Sequence, residues 1–440
     1  PFGGRSGSAV RRGGNLALTQ TGNTSGSPDP ASLAAMTEVA PSSDGGLALR
    51  GVRVLDFTWI HAGPSATRIL ADQGAQVIKV ESNQALNVVG GPASNTARGL
   101  GQRQNWNAGK LSISLNMKSP EAVDVAKRLV AVSDVVAENF SARVMPGWGM
   151  DYDRLRQIRP DLIMLSMSGF GRDGPWKDRV SYGQTLQAWC GITDLTGFPD
   201  SGPCGPASAY SDAVAGVAGA QAVLLALIHR ARTGRGQWID LSQYEALSSL
   251  METMVLELSA NKSGPKRNGN RLPHGGGAPH GAYRCKGEDR WVAIAVFADE
   301  EWDAFASAIG NPAWTEDTRF LTVTARSAHA DDLDSLLQSW TLEHSPEEIM
   351  HLLQLAGVCA GVVQTGADLA EDPQLKERGF FRKVPDAQGV IRTVEGAPYK
   401  LSRTPGGPGR GAPEFGSDQT YVLREVLGLP DDELAEYAIA

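Results

Sequence analysis

Between Val52 and Met167 the chain alternates short apolar, β-branched runs with stretches of helical spacing, and few architectures accept that pattern. Val52-Arg53-Val54-Leu55-Asp56-Phe57 reads as a strand. Pro64 to Gln73 reads as a helix with Pro64 at an N1-like position, and Ala75 to Val80 as a strand ending in Glu81. The alternation continues through Pro120 to Val132, Asp134 to Glu138, Asp151 to Ile158 and Leu162 to Met167. Strands that are apolar on both faces and separated by helices form parallel sheets, so the expected fold class is α/β, a Rossmann-like, doubly wound large domain.

From Asn261 to Gly281 the texture changes to Gly, Pro, Asn and basic residues. Strands over Gly281 to Cys285, Trp291 to Val296 and Gly357 to Val363, with helices over Glu301 to Ile309, Ala325 to Ser339 and Pro346 to Leu355, then predict a smaller α+β domain. Past Asp368 the chain is expected to return to the large domain through a strand at Pro398 to Leu401 and a helix at Tyr421 to Leu427. The expected division is an extension over 1–46, the large domain over 47–245, linkers and small domain over 246–369, and a return to the large domain over 370–440. Gly, Ser, Thr, Pro and Ala dominate the extension, which reads as disordered, with Met36 as the expected natural start.

Composition narrows the function. With 41 Lys and Arg against 49 Asp and Glu the net charge is −8, which gives no general attraction to nucleic acid or anionic membranes. Cys190, Cys204, Cys285 and Cys359 form no CxxC pair, so no zinc site or disulfide framework is expected, and a reducing cytoplasm fits. The longest apolar run, Ala213 to Ile228, reads as a buried core helix. Glycine is plentiful, 51 of 440 residues, above the roughly 7% usual.

Three places could carry chemistry. Glu81 sits where a dinucleotide fold holds a ribose, but the preceding loop Thr58-Trp59-Ile60-His61-Ala62-Gly63-Pro64-Ser65 lacks GxGxxG, which leaves Glu81 as a solvated strand-end charge. Ser211-Asp212 precedes the apolar run, where Asp212 is either an N-cap or a carboxylate kept ionised by a helix N-terminus for nucleophilic work, and spacing does not separate these. The loop Pro273-His274-Gly275-Gly276-Gly277-Ala278-Pro279 is either a hinge or a cover that exposes backbone N–H groups to a ligand. The seven histidines form no HxxxH or HExxH array, so no metal site is expected, and no serine lies in a GxSxG elbow.

Several strings taken together resemble the family III coenzyme A transferases, the group of formyl-CoA transferase, carnitine CoA transferase and α-methylacyl-CoA racemase. They are Leu47 to Phe57 with Ala62-Gly63-Pro64, Gly74 to Glu81, Asn107-Ala108-Gly109-Lys110, Glu138-Asn139-Phe140, Pro160 to Ile163, Gly169-Phe170-Gly171 with Gly174-Pro175, Thr233 to Gln237 and the glycine loop. The resemblance spans about Leu47 to Pro385. It implies that Asp212, in Ser208-Ala209-Tyr210-Ser211-Asp212, is the nucleophile, forming anhydride and aspartyl-CoA intermediates under a flap at Gly275, Gly276 and Gly277 that excludes water.

It also implies Lys110 and Asn139 near the CoA nucleotide, and His61 beside the reacting carboxylates where formyl-CoA transferase has Gln. Coenzyme A enters as a thioester substrate and no cofactor is implied; succinyl-CoA is the donor considered. Ser82-Asn83 replaces the Arg-Pro of many members, so one adenine contact is expected to differ. The racemase branch needs a second acid/base group where this chain has Tyr182, whose ordinary pKa near 10 suits proton abstraction poorly and matches the transferases. A racemase, or a silent subunit of a transferase complex, are the alternatives. The family architecture implies an interlocked homodimer.

Overall fold

The computed structural model describes residues 46–82, 97–264, 266–431 and 433. The expected disordered extension and the Ser82-Asn83 departure lie outside them, apart from Gly46 and Ser82. Six parallel strands make the central sheet: β1 Arg53–Asp56, β2 Gln76–Glu81, β3 Leu111–Ser114, β4 Val135–Glu138, β5 Ile163–Ser168 and β6 Trp238–Ser242. Their order is β3-β2-β1-β4-β5-β6, so the winding reverses between β1 and β4, where Val54 and Asp56 stand opposite Val135 and Ala137. At such a reversal the connections leave in opposite directions and open a crevice at the carboxyl ends of the strands.

Alternate strand residues face opposite helical layers. Leu55, Ile78 and Val136 pack with Val125 and Leu129 of a helix over Pro120–Ala131 and Leu155 of another over Tyr152–Ile158. Val54, Val77, Val135 and Ile163 pack on the other face with Ala66 and Leu70 of α1, Ala62–Asp72, and with Ala215, Ala220 and Val223 of the helix Tyr210–Thr233. That apolar run is therefore longer than expected and buried on one face only, with Val217, Leu225 and Ile228 exposed. It is long and apolar enough to span a membrane, but its inner face is core of this sheet. Pro64 falls at the third position of α1 rather than the first, still within the turn that has no intrahelical partner for its missing N–H.

Two elements invisible to the periodicity complete the layers. They are α2, Ala97–Asn107, and α3, Gly183–Trp189, which follows the loop after β5; the Tyr210–Thr233 helix is α4 below. The edge of β3 is closed by side chains: Asp418 Oδ2 accepts from Ser112 N–H at 2.9 Å and Gln419 Oε1 from Ser114 N–H at 2.9 Å.

A three-stranded antiparallel sheet, β7 His280–Arg284, β8 Trp291–Ala295 and β9 Cys359–Val362, carries its own apolar core of Trp302, Phe305, Phe320, Leu333, Leu337 and Leu353. The expected helix over Ala325 to Ser339 is two, Val323–Ala328 and Ala330–Thr341, broken at His329, which leaves helical geometry at φ −115° and ψ 30°. Pro398 to Leu401 is not a strand. The strands in this part of the chain are instead a hairpin, β10 Phe381–Pro385 with β11 Ile391–Glu395, and Arg68 Nη2 ties α1 to the Glu395 carbonyl at 2.7 Å.

Candidate active site

The site forms where the N-termini of α1 and α4 meet at the carboxyl edge of the sheet. Glycine at 216 and 219 of α4 lets the two helices approach closely: a β-carbon at Gly216 would lie 2.9 Å from Ser65 Cβ and 3.1 Å from the Ala62 carbonyl oxygen. Asp212 lies one turn before Gly216 and so shares that face. It is 8% exposed. Its carboxylate accepts from the Ala62 N–H, its own N–H donates to the Ala209 carbonyl at 3.1 Å, and Ser211 Oγ stands 3.3 Å from Oδ2. The helix is capped by Ala209, so Asp212 is its third residue and not the N-cap.

Burial raises the Asp212 pKa against the opposing pull of His61, Ser211 and the two backbone N–H groups. His61 is partly buried, and its pKa is lowered by burial more than Asp212 raises it. Its ring stacks on Trp106 of α2 with centroids 4.5 Å apart. Among the described residues no lysine or arginine pairs with Asp212, so the carboxylate is desolvated without being neutralised by a fixed cation.

The other expected residues divide. Lys110 is fully buried and cannot reach a phosphate. Its Nζ donates to Thr67 Oγ1 at 2.8 Å, Pro64 O at 3.0 Å, Asp56 Oδ2 at 3.1 Å and Asn107 Oδ1 at 3.1 Å. It points inward because it immediately precedes β3, beneath α1, where four oxygens converge. Asn139 is engaged at both ends by Trp59, accepting from its N–H and donating to its carbonyl at 2.9 Å each, which leaves one amide hydrogen for a ligand. Tyr182 is 62% exposed next to Gly183, with its backbone bonded to Thr185 Oγ1.

Gly275, Gly276 and Gly277 have Leu272, Pro273, Val296, Phe297 and Ser327 as their near neighbours, and the loop borders a cavity of about 500 Å³ with Arg271 and Asp331. Asp212 is not among the near neighbours of these three glycines. Glu81 is not solvated either: Arg103 grips it through Nη1 at 2.9 Å and Nη2 at 3.2 Å, and Ser112 Oγ donates at 2.5 Å.

Sequence reading missed three residues that shape the site. Gly183 abuts the Asp212 carboxylate so closely that a β-carbon would overlap Oδ2. Trp106 supplies the stacking partner of His61, and Ile60 adopts a φ of 65°. The triplet Ser181-Tyr182-Gly183 after the Gly169 to Pro175 loop was the available signal for the first of these.

A doubly wound parallel sheet with a sheltered carboxylate beside its carboxyl edge has the form of an α/β enzyme. Residues 49–419 match the family model for CoA-transferase family III, and the chain belongs to that family. A succinyl-CoA–D-citramalate CoA-transferase of Chloroflexus aurantiacus is 35% identical over 393 residues, covering 88% of this chain and 96% of its own. The β subunit of a succinyl-CoA–L-malate CoA-transferase from the same organism is 33% identical over 399 residues, with 88% and 96% covered. The crystal structure of a CaiB/BaiF family protein from Brucella suis superposes with a TM-score of 0.79 at 32% identity, over 87% of this chain and 100% of that one. The chain is a CoA-transferase.

Proposed function

We propose that this enzyme moves CoA from succinyl-CoA to a second carboxylic acid, with Asp212 as the covalent nucleophile. The observation that carries this reading is the Asp212 carboxylate itself, buried, bonded only to neutral donors and free of any cationic partner among the described residues. A carboxylate in water is a weak nucleophile because hydration stabilises its charge; partial desolvation raises its basicity and its reactivity toward a thioester.

Asp212 attacks the thioester carbonyl, forming an acyl-aspartyl anhydride and expelling CoA thiolate. The thiolate attacks the aspartyl carbonyl, releasing the first acid and leaving an aspartyl-CoA thioester. The acceptor carboxylate attacks that thioester to form a second anhydride, again expelling thiolate. The thiolate then attacks the acyl carbonyl, giving the new acyl-CoA and restoring Asp212. Neutral His61 can donate to the oxyanion of each tetrahedral species.

The donors named for the two relatives, and their dicarboxylic or hydroxy-dicarboxylic acceptors, support a succinyl-CoA donor and an acceptor of that class. Exposed Val217, Leu225 and Ile228 of α4, with Val255, Leu256 and Leu258 nearby in sequence, support burial of this face by a second copy in an interlocked homodimer. A cytoplasmic setting suits the substrates. The β-subunit relative favours a second reading, in which a paralogous chain is needed.

The test is a panel of acids, D-citramalate and L-malate among them, offered with succinyl-CoA to the purified chain and read by mass spectrometry, with hydroxylamine trapping of the acyl-enzyme. Transfer with a hydroxamate on Asp212 is expected. Transfer surviving in Asp212→Ala would overturn the mechanism, and transfer appearing only with a paralogue added would establish the second reading.

A further inference from the structure

The loop from β1 into α1 is built in an unusual way. Ile60, a β-branched residue, holds a φ of 65°, a strained region for such side chains that persists only where the surroundings enforce it. The surroundings here are two buried ammonium groups. Lys79 Nζ donates to the Thr58 carbonyl at 2.6 Å, at the start of the loop, and Lys110 Nζ donates to the Pro64 carbonyl at 3.0 Å, at its end. Asn139 grips Trp59 between them, and Gly63 folds back onto the Thr58 side chain, leaving no room for a β-carbon.

Asp56 lies under the same loop, accepting from Thr58 N–H at 2.9 Å, Thr58 Oγ1 at 2.5 Å, Thr67 Oγ1 at 2.7 Å and Lys110 at 3.1 Å. Lys110 also reaches Asn107 Oδ1, next to the Trp106 on which His61 stacks. One ammonium therefore ties together α1, whose Ala62 N–H meets Asp212, and α2, whose indole carries His61.

We infer that Lys110 and Lys79 are positioning residues that lock the strained Thr58–Pro64 loop, and that this lock sets His61 and the Ala62 N–H against the reacting carboxylate. The inference rests on the proposed role of Asp212. Neither lysine touches substrate. Burying two cations is costly for stability alone, and their bonds converge on the two ends of the loop that carries His61 and Ala62 to Asp212.

The charged groups around Lys110 are Asp56 on β1, Lys79 on β2, and Arg68 and Asp72 on α1; Asp212 on α4 faces His61. Burial drives the Lys110 pKa down to about 7 even though Asp56 opposes it, so the lock sits near the point where it loses a hydrogen-bond donor.

The experiment compares full-length wild-type protein, Lys110→Met, Lys79→Met and Ile60→Gly, with His61 assigned through His61→Gln. Its first readout is the His61 titration by NMR on ¹³C-histidine-labelled protein, which needs no turnover. In Lys110→Met and Lys79→Met the His61 pKa is expected to rise toward its ordinary value as the ring leaves its packed position. Where transfer is measurable, kcat is expected to fall by about 100-fold with KM for the acyl-CoA nearly unchanged, as for misplacement of a reacting group.

Ile60→Gly removes the reason for the strain and keeps both lysines, so it folds even if the lysine variants do not. It is expected to melt higher than wild type and, with both lysines in place, to keep the wild-type His61 titration; a shifted His61 in this variant would overturn the inference. A wild-type His61 titration in folded Lys110→Met and Lys79→Met would likewise overturn it. If Asp212→Ala retains transfer, the mechanism falls, and the titration still decides whether the loop is locked.

Discussion

Gly183 and the Asp212 carboxylate share one small space, for a methyl group on the glycine would overlap Oδ2 and stand 2.8 Å from Ala209 Cβ. The first residue of α3 therefore fixes how far the Asp212 carboxylate can swing. Gly183→Ala is expected to push the carboxylate off its Ala62 N–H and lower kcat by about 100-fold, with circular dichroism unchanged. Full activity in this variant would mean the carboxylate has freedom the packing does not allow.

Asp212 sets stability against activity. Its folded pKa is raised above its ordinary value by burial, so the folded state binds more protons than the unfolded chain and stability falls as pH rises through the interval between the two values. At neutral pH the ionised group is thus a cost. Asp212→Asn should melt at a higher temperature than wild type at pH 7, and the gap should close as pH drops into the ordinary carboxylate range. Its transfer rate should be lower by roughly 10³-fold or more, as when a covalent nucleophile is removed.

The same shift places the acid limb of the pH–rate profile. In the proposed mechanism transfer requires ionised Asp212, so kcat/KM is expected to fall with acid at a pH above the usual carboxylate value of 3.8. His61 opposes that rise, so His61→Gln should move the limb to still higher pH. A limb at the ordinary value in both proteins would show a solvated carboxylate.

Glu81 is held below its ordinary pKa: burial would raise it, but the hydrogen bonds and charge of Arg103, with Lys79 and Ser112, override that. Its contribution to stability is present above the unfolded pKa and is lost as pH falls through the folded one. Arg103→Met strands the carboxylate and should cost about 3–5 kcal/mol in urea unfolding. Arg103→Met combined with Glu81→Gln should recover part of that loss.

Leu225 is 59% exposed on the outer face of α4. In the proposed homodimer this face is buried, so Leu225→Glu is expected to weaken dimerisation in light scattering coupled to size exclusion, and a dimer of unchanged stability would place the partner elsewhere.

What the sequence made legible follows from range. Apolar alternation exposed β1, β2, β4 and β5 because buried parallel strands are apolar on both faces, whereas β6, with Asp240 in its middle, and the polar α2 carried no such signal. Asp212 and His61 were legible as motif positions and the structure brings them together. Lys110 was equally conspicuous, yet a string cannot say which way a side chain points: the four oxygens around it come from residues 3 to 54 positions away. Gly183 and Trp106 matter only through contacts that the fold creates.

The side chains of Asp418 and Gln419, laid along β3 in place of a seventh strand, leave the sheet unable to grow at that end. The segment around Asp418 thus acts as a stopper. A molecule cut before Gly416 would carry an open templating edge and would tend to join its neighbours into aggregates, so the safety of this sheet depends on residues 305 and 306 positions away in the chain from those they cap.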